Sequence, residues 1–320
     1  MALKVVVIGT GFGRYLVAPA FQDVGCAVTV VSPRDAAGVR AAVEAPCDLV
    51  SVHSPPFMHL EHVKLAAERG RLVLCDKPFG RNAAEARAMA DAAARAGVPD
   101  YLNFEFRCDP IRQKLKALLD EGAIGAPQHV SWTMYTARGR DRPHGWLFEA
   151  ETGGGWIGAF GSHVIDALRW LFGEIAEVGG RTRTEVKLRA DRQTGAMRPC
   201  TAEDAFTAWL RLQNGVTVAL DTAFAAALDV PERITVFGSE GVLQIGAGRQ
   251  LSLLRPGRQP VQHDFSNSET DPHLPAMRIW AEAVRAAVAE GRKTGPDFQD
   301  GLACAQVLDR LRTASADRPA

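Results

Sequence analysis

The chain has 320 residues, and its 37 lysines and arginines balance 37 acidic side chains to a formal net charge of zero. That balance offers no electrostatic footprint for nucleic acid or an anionic membrane, so a small molecule is the expected partner. The length suits two domains, and six scattered cysteines with no Cys-x-x-Cys pair suit reduced thiols in a cytoplasm.

Lys4–Ile8 is a β-branched apolar run, too short for a signal peptide or a membrane span, and it leads directly into Gly9-Thr10-Gly11-Phe12-Gly13. A soluble cytoplasmic protein is expected. Strand, glycine loop and helix in this order make a dinucleotide site. Gly9 permits the tight turn, and Gly11 removes the Cβ that would hold a pyrophosphate away from backbone N–H groups. Thr10, Phe12 and Gly13 complete the predicted cofactor loop. The sixth position, where a small residue lets helix pack on strand, is Arg14. Pro19 suits a first helical turn, which predicts a helix start near Ala18 with Arg14 in a lengthened loop.

A second strand, Ala27–Val31, ends at Ser32-Pro33-Arg34, with no acid to accept hydrogen bonds from the adenosine ribose hydroxyls. Ser32 and Arg34 suit a 2′-phosphate, so NADP is the expected cofactor and NAD the alternative. Ordinary loop residues are the competing reading. A helix over 35–45 and a strand over 48–52 lead to the forced loop Ser54-Pro55-Pro56. His59 follows near the start of a helix over 58–69, where it is expected to face the cofactor loop or cap the helix. His59 and His62 are three apart, but no further Cys or carboxylate at a ligand spacing is evident nearby and no metal site is expected.

Leu72-Val73-Leu74-Cys75 reads as a strand buried on both faces, stopped by Asp76-Lys77-Pro78. Lys77 then emerges at the strand's carboxyl end, the edge at which open α/β sheets bind ligands, and Pro78 biases it towards extended backbone. A solvated strand cap is the alternative. Residues 83–96 read as a helix and 98–106 as a strand carrying Asn103, Glu105 and Arg107. This alternation predicts a doubly wound parallel sheet, a Rossmann domain over 1–121 whose last helix, 110–121, leads into a second domain over 122–320.

Strand-like runs at 129–135, 206–212, 216–224 and 233–237, with turn signals such as Gln213-Asn214-Gly215, predict a C-terminal α+β domain with a large, mostly antiparallel open sheet. The polar stretch 181–200 reads as a loop, and 278–290 and 299–313 as closing helices able to pack back on the first domain. One prominent helix follows the run from Gly153-Gly154-Gly155-Trp156 to Gly161. It carries His163 and Asp166 three apart on one face, a base and a carboxylate able to fix its tautomer. The three glycines would let backbone approach a ligand closely. The competing reading is a structural histidine, with Asp166 paired to Arg169 or in water.

Together the Gly-x-Gly start, Ser54-Pro55-Pro56 with His59, Asp76-Lys77-Pro78, Arg107 with Pro110, and Gly153-Gly154-Gly155 through Gly161 to His163 and Asp166 resemble the glucose-fructose oxidoreductase, inositol dehydrogenase and MocA (Gfo/Idh/MocA) family. The resemblance spans essentially the whole chain. It implies a nicotinamide-binding N-terminal domain, a C-terminal sheet that joins homodimers or homotetramers, and hydride transfer at a secondary hydroxyl of a sugar, cyclitol or related polyol. Lys77 and His163, assisted by Asp166, are the implied catalytic groups, with Asp76 beside the cofactor and Arg107, Tyr135 and Trp156 around the substrate. Trp132 and Trp146 are equally well explained as core.

In the implied mechanism His163 takes the hydroxyl proton while hydride leaves to NADP, and Lys77 stabilises the developing alkoxide, worth about 3–4 kcal/mol in a dry site. Two positions depart from the family pattern: Asp76 replaces a glutamate, and Ala159 replaces an aspartate. Ala159 motivates one rival, a nucleotide- and ligand-binding regulator without efficient turnover. The other rival is a reductase of a non-sugar carbonyl or imine.

Overall fold

Short β-branched runs become a five-stranded sheet in a computed structural model that describes residues 2–267, 269 and 271–316. The strands are β1 (Lys4–Ile8), β2 (Ala27–Val31), β3 (Leu49–Val52), β4 (Leu72–Asp76) and β5 (Asp100–Asn103), with α1 (Ala18–Asp23), α2 (Ala36–Glu44), α3 (Pro56–Glu68) and α4 (Ala83–Ala96) between them. Every neighbouring pair is parallel, in the order β2-β1-β3-β4-β5. The order reverses between β1 and β3, which makes their carboxyl ends the natural crevice for a ligand.

Later elements are α5 (Pro110–Asp120), β6 (Pro127–Tyr135), α6 (Ser162–Phe172), β7 (Ile175–Arg183), β8 (Leu188–Ala190), β9 (Met197–Pro199), β10 (Ala205–Leu212), β11 (Thr217–Ala223), β12 (Val230–Gly238), β13 (Val242–Gly246), β14 (Gln250–Leu254), β15 (Val261–Asp264), α7 (Leu274–Glu290) and α8 (Phe298–Ala316). The chain divides into two units, Met1–Asp109 with Glu269–Gln306, and Pro110–Ser268 with Val307–Ala320. In the first unit α7 returns to the sheet, and Met277, Trp280 and Val284 share one core cluster with Val5, Val7 and Phe21. The helix α5 belongs to the second unit.

The second unit holds an eight-stranded sheet in the order β15-β14-β13-β12-β6-β11-β10-β7. All its pairs are antiparallel except β6 with β11. Along β10, Phe206, Ala208, Leu210 and Leu212 are buried while Thr207, Trp209 and Arg211 are exposed, the period-two alternation of a sheet covered on one face. Among the described residues no helix is long and apolar enough to cross a membrane.

Three local expectations are corrected. The strand expected over 98–106 stops at Asn103, because the chain turns into a 3₁₀ segment, Glu105–Cys108, that buries Glu105. The helix expected to start near Ala18 is preceded by a π-helical turn, Gly13–Val17, so Arg14 lies on that turn, exposed, and not in a loop. The stretch 181–200 is not a loop: β7 runs through Arg183, and β8 pairs with β9 as a hairpin.

A buried arginine holds that hairpin in place. Arg189 Nη1 donates to the carbonyls of Gly139 (2.6 Å), Arg140 (3.0 Å) and Arg142 (3.0 Å), Nη2 lies 3.8 Å from Asp204, and the guanidinium sits 3.8 Å above the Phe148 ring. Removing one partner of a buried ion pair costs about 3–5 kcal/mol, so Arg189→Ala is expected to lower the urea midpoint of the second unit's transition by a corresponding amount.

Candidate active site

The glycine loop is fixed by what lies beneath it. A Cβ on Gly9 would meet the His53 carbonyl oxygen at 2.6 Å, and one on Gly13 would meet His53 Cβ at 2.9 Å and Val7 Cγ1 at 3.0 Å. Gly13 therefore supplies the close packing that the sequence reading sought at position 14. Gly11 has nothing within 4 Å of its would-be Cβ and is exposed, as is Thr10. An open, side-chain-free turn at the switch between β1 and β3 fits the pyrophosphate of a dinucleotide. Ser32 and Arg34 follow β2, whose Val31 carbonyl accepts from Gly9 N–H (3.1 Å). Asp35, the nearest acid, is occupied as the cap of α2, accepting from Gly38 N–H (2.9 Å).

Asp76, at the end of β4, is buried and multiply bonded. Its Oδ1 accepts from Asn103 Nδ2 (2.9 Å) and from the Lys77 backbone N–H (3.0 Å), while His53 Nδ1 lies 3.3 Å from Oδ2. The Ser51 hydroxyl bonds His53 Nε2 at 2.7 Å. Burial pushes the Asp76 carboxyl up, but His53, Lys77 and Asn103 outweigh it and hold the group at about 2. At neutral pH Asp76 is thus an anion directly before Lys77, which is half-buried at the sheet edge. Of these partners the sequence reading missed His53; its place directly before Ser54-Pro55-Pro56 at a strand end was the available signal.

His59 is bonded to the turn that precedes α3. Its Nε2–H donates to the Ser54 carbonyl (2.6 Å), and His62 Nδ1 bonds the Ser54 hydroxyl (3.0 Å), so the two histidines brace the start of Pro55-Pro56. Burial pushes His59 down to about 4 and lowers His62 as well.

A further pair was invisible in the sequence. Glu105, fully buried, bonds His273 Nδ1 at 2.5 Å across 168 residues of chain. The His273 ring stacks on Phe106 (4.8 Å, 25°) and meets Phe12 of the glycine loop edge-on (5.4 Å, 82°). Arg107, expected at the substrate, forms a 2.9 Å ion pair with Asp300.

In the second unit His163 and Asp166 are buried near the start of α6, and Arg169 pairs with Glu174 at 2.7 Å. Asp166 is therefore not in water. Trp156 is withdrawn from the stacking role expected of it: its ring stacks on Phe160 (5.0 Å) and Phe224 (4.5 Å), and its Nε1 donates to Thr222 (2.8 Å). Trp132 is core, donating to Glu232 at 3.0 Å beneath Arg112. Tyr135, half-buried at the end of β6, has its hydroxyl raised by burial and by a hydrogen bond to Asp221. The glycine triplet serves the fold: a Cβ on Gly154 would meet the Trp146 carbonyl oxygen at 2.4 Å, and one on Gly155 would meet the Glu203 carboxylate at 2.2 Å.

Two family descriptions match the chain, "Oxidoreductase family, NAD-binding Rossmann fold" over residues 3–104 and "GFO/IDH/MocA C-terminal domain" over residues 112–244. An uncharacterized oxidoreductase of Synechocystis is 27% identical, the match covering 99% of this chain and 95% of the relative. A D-apiose dehydrogenase of Paraburkholderia graminis is 30% identical over 80% of this chain and 64% of its own length. Among solved structures, levoglucosan dehydrogenase in complex with NADH and L-sorbose has the same fold, with a TM-score of 0.86 at 23% identity, covering 99% of this chain and 97% of that one.

The buried histidines set a pH window. Unfolded, His59 takes a proton near 6.5; folded, it resists protonation down to about 4, so stability falls as pH drops between those values. Asp76, ordinarily 3.8 and here about 2, weakens the fold only below that window. Urea titrations at pH 7 and pH 4 are expected to differ by roughly 3 kcal/mol, and His59→Gln to flatten most of that slope.

Proposed function

The chain belongs to the Gfo/Idh/MocA oxidoreductase family, and from that premise we propose that it transfers hydride between a nicotinamide dinucleotide and a secondary hydroxyl or carbonyl of a sugar, cyclitol or related polyol. The observation that carries this reading is the carboxyl edge of the first sheet, where an open glycine turn and Lys77 leave strands joined through His53 and Asp76. The D-apiose and levoglucosan dehydrogenases among the similar proteins support the substrate class.

Gly9, Thr10, Gly11, Phe12 and Gly13 hold the pyrophosphate, and Ser54, Pro55 and Pro56, braced by His59, wall the other side of the crevice. The bound nicotinamide accepts or returns the hydride. Lys77 places a cation beside the reacting oxygen and stabilises the alkoxide. His163 accepts the hydroxyl proton, oriented from within α6 by Asp166, and Tyr135 contributes to the substrate wall.

Ser32 and Arg34, with Asp35 committed to its cap, favour the 2′-phosphate of NADP. A homodimer or homotetramer through the second sheet is supported by its open face, where Trp209 is 54% exposed and Phe237 42%. Six free cysteines support a reducing, cytoplasmic setting. Ala159, where the resemblance implies an aspartate, favours a second reading, a ligand-binding regulator of the same fold.

The native protein is expected to reduce NADP with at least one member of a polyol panel, and Lys77→Ala to lower kcat about 100- to 1,000-fold. Tight cofactor binding with no turnover of any polyol would favour the regulator. Isothermal titration is expected to give tighter binding of NADP than of NAD, with the preference lost in Arg34→Ala; a clear NAD preference contradicts the role given to Ser32 and Arg34.

A further inference from the structure

His53 stands between the two halves of the proposed cofactor edge. Its carbonyl and Cβ form the floor under Gly9 and Gly13. Its ring, with a side chain wholly shielded from solvent, bonds Ser51 at 2.7 Å, faces Asp76 at 3.3 Å and lies 6.1 Å from the Phe12 ring of the glycine loop. An ionised carboxylate only accepts, so the tautomer that suits Asp76 carries its proton on Nδ1, and the Ser51 hydroxyl then donates to Nε2. The opposite oxygen of that carboxylate receives the Lys77 backbone N–H and Asn103. Any shift of the Asp76 carboxylate is therefore carried to the backbone that aims Lys77.

Asp76 is one methylene shorter than the glutamate that the family resemblance implies in this position. From the end of β3 the His53 imidazole stands 3.3 Å from this shorter acid. We propose that His53 is a positioning residue for hydride transfer. It completes a short acid, and through Asp76 it sets where Lys77 stands relative to the glycine loop. This rests on the oxidoreductase reading above. It makes residues 53 and 76 a matched pair, in which a larger acid at 76 collides with the imidazole and a smaller residue at 53 leaves the acid unheld.

The test is a double-mutant cycle of native protein, His53→Ala, Asp76→Glu and the double variant. Alanine at 53 keeps the backbone and Cβ that floor the glycine loop, so it removes the ring alone. Each variant is measured for kcat and KM with the best polyol, for dinucleotide Kd by fluorescence titration, and for thermal midpoint without cofactor. Each single change is expected to lower kcat about tenfold or more with dinucleotide Kd within about threefold, and the double variant to recover to within about threefold of native.

The thermal midpoints of the cofactor-free proteins are expected to show the same reciprocal rescue, which a residue packing at 53 independently of residue 76 would not produce. Should His53→Ala not fold, His53→Asn, which keeps a polar atom near the Nδ1 position, takes its place with a smaller loss. The inference is overturned if the losses add in the double variant, or if His53→Ala retains native kcat. Absence of turnover by the native protein on every polyol overturns the oxidoreductase reading and the inference with it, whereas native turnover with additive losses overturns the inference alone.

Discussion

A carboxylate buried at the end of a strand is the constraint on which the proposed site depends. Removing such a charge from water costs several kcal/mol unless its lone pairs are met. Asp76 meets them with groups from both neighbouring strands: Asn103 ends β5, His53 follows β3, and Lys77 is the next residue of its own chain. The parallel register makes this possible, since Val52 pairs with Cys75 and Asp76 with Asn103, so equivalent strand ends stand in a row. One anion thereby ties three strands together at the edge where ligands bind α/β sheets.

Glycine has two different uses in this molecule. Gly9, Gly13, Gly154 and Gly155 are small because protein atoms press on them, and a methyl group at any of these positions would strike a carbonyl oxygen, a carboxylate or another side chain. Gly11 is small with nothing opposite it, which is what a surface for an incoming phosphate requires. The sequence pattern cannot separate the two uses, because both leave the same letter.

Much of the architecture could be read from the chain alone. The β-branched runs, their breakers and the switch to period-two alternation after Gln128 carried the two sheets, and Asp76-Lys77-Pro78 carried the sheet edge. What escaped depended on tertiary pairing. Arg189 sits in a polar stretch whose composition argues for a loop, and only its three carbonyl acceptors and Phe148 reveal a hairpin anchored by one buried side chain. Glu105 and His273 lie 168 residues apart, with no local pattern joining them. Trp156 stands in a glycine-rich run that says nothing of its neighbours, and its stacking on Phe160 and Phe224 is visible only in the fold.

The unit that holds the glycine loop is discontinuous, being made of Met1–Asp109 and Glu269–Gln306. On the ribosome its five strands emerge long before Met277, Trp280 and Val284 arrive to cover β1 and α1. At roughly 5–20 residues per second, that apolar surface waits on the order of ten seconds or more while Pro110–Ser268, the larger part of the second unit, is made. The second unit therefore completes its own sheet before the first has a finished core, and the apolar face of the first sheet stays uncovered over that interval.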